Sequence, residues 1–153
     1  MSIFDVIGPV MVGPSSSHTA GAVRIGYISR KLIGENIVKA DIRLYGSFLA
    51  TGKGHGTRKA VVAGLLGMKP DDMRIPDSLD IASSQGMEVT FGEAQLKEAH
   101  PNTVQMFLTG VSGRSLEVVG ESLGGSRINI AQIDGINTNF SGAYPTLAVH
   151  NLD

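Results

Sequence analysis

Two stretches of this 153-residue sequence bring chemically capable side chains together where backbone N–H groups should also be free. The first is Ser15-Ser16-Ser17-His18-Thr19, four hydroxyls and one imidazole on consecutive residues just ahead of an amphipathic run. Serines there cap a helix. The same hydroxyls, with the first-turn N–H groups, can also hold a carboxylate, the helix dipole adding roughly 0.3–1 kcal/mol. His18 contributes nothing to capping and reads as a proton-transfer residue. The second stretch is Gly52-Lys53-Gly54-His55-Gly56-Thr57. Its glycines let N–H groups converge as an anion-binding nest, from which His55 and Thr57 project. The plain alternatives are a serine-rich N-cap and a tight turn with a solvated histidine. A third candidate, His100-Pro101-Asn102-Thr103, precedes a strand-like run. There Asn102 either offers a donor and an acceptor to a ligand or closes an Asx turn.

More familiar chemistries fail on spacing. A Walker loop needs Gly, four residues, then Gly-Lys-Ser/Thr, whereas here Lys53 is followed by Gly54. The glycines fall as G-x-G-x-G, which is not the dinucleotide fingerprint. No G-x-S-x-G elbow exists and no acid stands in an orienting position, so a Ser-His-Asp triad is disfavoured. Cys is absent, which excludes disulfides, zinc–thiolate sites and an iron–sulfur cluster ligated from within this chain. No H-x-x-x-H or carboxylate pattern marks a metal site, and His150, on an apolar alternating run, reads as structural.

The elements that must carry these residues can be read from periodicity. Ala22, Ile25, Ile28 and Leu32 follow helical spacing, putting the serine cluster at a helix N-terminus. Val38, Ala40, Ile42 and Leu44 alternate with Lys39, Asp41 and Arg43, a half-buried strand running into Gly46. A second helix carries Val61, Val62, Leu65 and Leu66; residues 69–86 read as an exposed connection with one helical turn. Strands follow around Val89, Val104 to Leu108, Ser115 to Val119, Ile128 to Ile130 and Leu147 to Val149, with turns at Ser112-Gly113 and Gly124-Gly125. Two helices early and antiparallel strands late predict an α+β fold in one unit, residues 1–153, with two to three helices on a mixed, largely antiparallel sheet. Thirteen Lys+Arg against fourteen Asp+Glu leave no bulk electrostatic grip on nucleic acid. No apolar run approaches the roughly 18 residues of a membrane helix and no basic flank marks a signal peptide, which predicts a cytoplasmic protein without a membrane partner.

The combination GPSSSHTAGAVRIG, YGSFLATGKGHGT, HPNT and SLGG resembles the beta chain of the bacterial iron–sulfur-dependent L-serine dehydratases, across nearly the whole sequence. That resemblance implies removal of water from L-serine to give pyruvate and ammonia. It also implies a 4Fe-4S cluster held by a partner alpha chain and none bound by this chain. It assigns His18 and His55 as catalytic, and Ser15, Ser16, Ser17, Thr19, Thr57 and Asn102 as substrate-binding. The family's glycine turn carries a third Gly where this sequence has Ser126, so no ligand role is carried over to that turn. The family's beta chains continue into an ACT regulatory domain, which this sequence would then stop short of. The fold expected from the resemblance is that of the allosteric substrate-binding domain of some 3-phosphoglycerate dehydrogenases.

That last likeness supplies the rival: a non-catalytic module binding serine or another small anion. The two histidines discriminate, because anion binding needs only hydroxyls and N–H groups whereas α-proton removal needs a base. The mildly positive mean hydropathy, +0.10, predicts apolar surface covered by the alpha chain or by a second copy as a homodimer.

Overall fold

The computed structural model describes residues 16–52, 56–125 and 127–141. Helix α1, Ser16–Ile33, buries Ala22, Val23, Ile25 and Ile33; Arg30 and Lys31 in its last turn complement the helix dipole. Strand β1, Ile37–Gly46, buries Ala40, Ile42 and Leu44 as the alternation predicts. Val38 does not follow them. A register irregularity between Ile37 and Lys39 gives the inward place to Ile37 and leaves Val38 38% exposed.

The chain then makes a long crossover: α2, Ser47–Gly52; α3, Gly56–Leu65; a 3-10 turn, Ile75–Asp77; and α4, Ser78–Ser84. It ends in β2, Glu88–Glu93, which lies parallel to β1. Parallel neighbours require such a connection. The remaining strands are antiparallel: β3, Asn102–Gly110; β4, Ser115–Gly124; β5, Arg127–Ile133; β6, Ile136–Phe140. The sheet order is β2-β1-β3-β4-β5-β6. The fold is therefore α+β on a mixed, largely antiparallel sheet. Its described part holds four α-helices, the two expected long ones and two short ones. The expected strand at Leu147 to Val149 and the residue His150 lie outside the described residues.

One face of the sheet and the helices share a core built from Ile42, Leu44, Met106, Leu108, Ile128 and Ile130 with Ile25, Val61 and Leu65, all essentially without solvent contact. Each such Ile or Leu stabilises by roughly 1.5–3 kcal/mol. Small residues let the layers close. A Cβ on Gly26 would collide with the Val61 carbonyl, and one on Gly64 with the Val23 carbonyl, so α1 and α3 cross backbone to backbone. The opposite sheet face is polar. Arg43 pairs with Asp41 at 3.0 Å and lies 5.0 Å from the Phe107 ring centroid; Gln105 donates to Glu117 and Asn129 to Glu121.

Candidate functional site

Strand register defines one end of the sheet. Gly46 at the end of β1 pairs with Asn102 at the start of β3, Thr103 pairs with Glu121 near the end of β4, and Gly124 pairs with Arg127 across the β4–β5 turn. Helix α1 points its N-terminus at this end. Gly21 lies so close over Ser122 that a Cβ would strike the Ser122 hydroxyl. The helix's other end is held at the β3–β4 turn, where the Val111 N–H donates to the Asn36 carbonyl at 2.9 Å and Arg114 Nη1 to the Ile33 carbonyl at 3.2 Å. The first turn of α1, Ser16, Ser17, His18 and Thr19, thus sits at the Asn102 end, and Thr19 is 3% exposed.

Gly46 makes the next turn. With φ at 61° and the Pro101 backbone where its Cβ would be, only glycine fits. The Ser47 N–H then donates to the Pro101 carbonyl at 2.6 Å, and α2 starts at once. Helix α3 opens three residues after α2 ends, with Thr57 buried at 4% exposure and the Arg58 guanidinium 5.0 Å from the ring centroid of Phe91 in β2. Neither α1 nor α3 carries an acidic residue in its first turn, so their positive dipole ends are not neutralised from within.

The His100-Pro101-Asn102-Thr103 turn is closed in a way the sequence did not suggest. The Asn102 N–H donates to His100 Nδ1 at 3.0 Å, and Thr103 Oγ1 donates to the His100 carbonyl at 2.6 Å. The imidazole does what an Asx side chain would otherwise do, with Nδ1 as acceptor. Asn102 Oδ1 is buried with no hydrogen-bond partner among the described residues. A buried acceptor left unmade costs about 1–3 kcal/mol, which a ligand N–H would recover. His100 was missed as a contributor; its signal was the spacing of two residues to Asn102.

Thr19 and Asn102 therefore share one end of the sheet, and Thr57 stands in the first turn of α3, beside Arg58, whose guanidinium reaches Phe91 of β2. Ser15 and His55 lie outside the described residues. Among the described residues no group of three or more His, Asp or Glu could hold a metal ion, and the chain has no cysteine, so its residues do not fit an iron–sulfur cluster. Nor, among them, is any helix long and apolar enough to cross a membrane.

The arrangement defines a class: an α+β domain in which the N-terminus of one long helix and a buried amide oxygen share the end of the sheet where β1 stops and β3 starts, a combination that can take a small ligand with a carboxylate and an N–H donor. Comparison with known proteins makes the assignment specific. The serine dehydratase beta chain family model matches residues 2–83. The chain is 44% identical over 98% of its length to a probable L-serine dehydratase beta chain of Bacillus subtilis (strain 168), covering 68% of that protein. It is 42% identical over 95% of its length to the L-serine dehydratase beta chain of Peptoniphilus asaccharolyticus, covering 66%. L-serine dehydratase 2 of Escherichia coli (strain K12) is 32% identical over 72% of this chain, which covers 28% of that longer protein. This chain spans about two thirds of the length of the two beta chains. It belongs to the serine dehydratase beta chain family.

Proposed function

We propose that this chain is the beta subunit of a cytoplasmic L-serine dehydratase, paired with an alpha chain that carries a 4Fe-4S cluster, and that it supplies substrate grip and proton handling. The observation that carries this reading is convergence. The start of α1, the Gly46-Ser47 turn, the start of β3 and the glycine turn after β4 belong to four separate sequence motifs, yet they gather at one end of one sheet.

On this reading the positive N-termini of α1 and α3, with Ser15, Ser16, Ser17, Thr19 and Thr57, hold the substrate carboxylate. The buried Asn102 Oδ1 accepts from the α-amino group, on a backbone held by the Asn102 N–H bond to His100 Nδ1. His18 and His55 take the α-proton and return a proton, in keeping with the neutral imidazole that a positive helix end favours. Loss of the α-proton and of the β-hydroxyl as water gives aminoacrylate; its hydrolysis consumes one water and gives pyruvate and ammonia. Activation of the hydroxyl belongs to the partner, since nothing in this chain is an electrophile for it.

The test is pyruvate release from L-serine under anaerobic conditions, with this chain alone and with a cluster-loaded alpha chain added. Activity only in the mixture is expected. Turnover by this chain alone would overturn the division of labour. Serine binding without turnover in the mixture would install the regulatory module instead.

A further inference from the structure

Asn102 is only half held by the sheet. On one side it pairs with Gly46, the last residue of β1, where a φ of 61° ends the strand; on the other, the pairing of β3 with β4 reaches only to Thr103 and Glu121. Asn102 thus has a strand neighbour on one side and none on the other. What remains to fix it is the turn before it. Pro101 presets that turn by locking its own φ and by keeping His100 extended. The Ser47 N–H bond to the Pro101 carbonyl and the Thr103 Oγ1 bond to the His100 carbonyl, both 2.6 Å, brace the residues on either side of Asn102. The Asn102 N–H itself is taken by His100 Nδ1 at 3.0 Å. This is the bond to the second residue onward that Oδ1 of Asn or Asp makes in an Asx turn, and Nδ1 of histidine stands the same number of bonds from Cα. The Asn102 side chain does not close this turn: its Oδ1 is buried and has no partner among the described residues.

We infer that His100 is a positioning residue for substrate binding: its Nδ1 closes the turn and holds the Asn102 backbone, so that the buried amide oxygen stays open to the α-amino group of the substrate. This rests on the reading of Asn102 as the amine acceptor. The ring acts through Nδ1 alone, so an amide oxygen at the same place serves equally well. Its loss weakens the binding of serine rather than slowing its turnover.

The experiment measures kcat, KM for L-serine and Tm in the complex with the alpha chain for His100→Leu, His100→Gln, His100→Asn, Asn102→Ala and the double variant of His100→Leu with Asn102→Ala. His100→Leu has no acceptor, and His100→Gln carries its oxygen one bond too far from the backbone. Each should raise KM about 3- to 10-fold while kcat stays within about threefold of the parent. His100→Asn rebuilds the turn as Asn-Pro and should return KM to within about twofold of the parent. The double variant should be no worse than Asn102→Ala alone, since His100 acts through Asn102. A KM for His100→Asn as high as that for His100→Leu, a kcat lowered more than about threefold in both, or additive losses in the double variant overturns the inference. Should His100→Leu fail to fold, His100→Gln against His100→Asn decides alone. An unchanged KM in Asn102→Ala would instead remove the underlying reading of Asn102, whereas a raised KM there beside unaffected His100→Leu and His100→Gln removes only the positioning role.

Discussion

At the β3–β4 turn the polar groups in the last turn of α1 and just beyond it are paired, whereas at the Asn102 end a buried acceptor has no partner among the described residues. Glu35 accepts the Ser112 N–H at 2.6 Å and its hydroxyl at 2.7 Å, Arg30 donates to Asn36 at 2.8 Å, and Arg114 ties down the Ile33 carbonyl. The backbone and hydroxyl donors of Ser112, helped by the nearby Arg114 and Arg30 charges, hold the Glu35 carboxyl below its ordinary value. The other end has the N-terminus of α1, with no acidic residue in its first turn, and Asn102 Oδ1, without a partner among the described residues. One end is closed for stability, and the other keeps the unmet hydrogen-bonding capacity that a ligand can use.

The contrast is sharpest in catalysis. In the assembled enzyme His55→Ala should lower kcat by about 10²- to 10⁴-fold, and His18→Ala should also lower it strongly. Steady-state kinetics would check this, and near-normal kcat in both would break the functional side of the comparison. Between the two ends, at the crossing of α1 and α3, Gly26→Ala should destabilise by about 2 kcal/mol, since the collision is with rigid backbone and helix propensity returns only part of it. Denaturant titration would show this as a lowered midpoint with unchanged slope. At the open end Asn102→Ala should raise KM for serine about tenfold while leaving Tm unchanged or raised, because it removes an unpaired acceptor.

The smallest effect belongs to the closed end. The depressed Glu35 carboxyl contributes stability that is present above its unfolded value, near 4.5, and is lost as pH falls through its lower folded value. Glu35→Gln should therefore flatten the acid limb of a Tm-against-pH curve without touching kcat. A marked loss of kcat in that variant would mean that the two ends are coupled.

What the sequence revealed follows the range of the interactions. The alternation of Ala40, Ile42 and Leu44 showed β1 because burial on one face is a local pattern, but the irregularity beside Val38 was invisible since it depends on the partner strand. Helix α2 is six residues long, too short for a helical period, although Phe48 within it is fully buried. β6 is too polar for an alternation signal; the Asp134-Gly135 dipeptide between Ile133 and Ile136 was the available cue. The site motifs stood out because each is a run of consecutive residues. Their gathering did not, for it is set by pairings such as Gly46 with Asn102, which no window of sequence contains.

The parallel pairing of β1 with β2 also constrains the order of assembly. The strands from β3 to β6 are joined by short connections, and such hairpins close cheaply and early. Lys39 can meet Glu88 only after the whole α2-to-α4 crossover has been threaded between them, a much longer loop to close. Phe91, on which Arg58 rests, therefore reaches its place late. The expected refolding sequence is a meander formed first and a β2 edge docked afterwards, with the Arg58–Phe91 contact made in the last step.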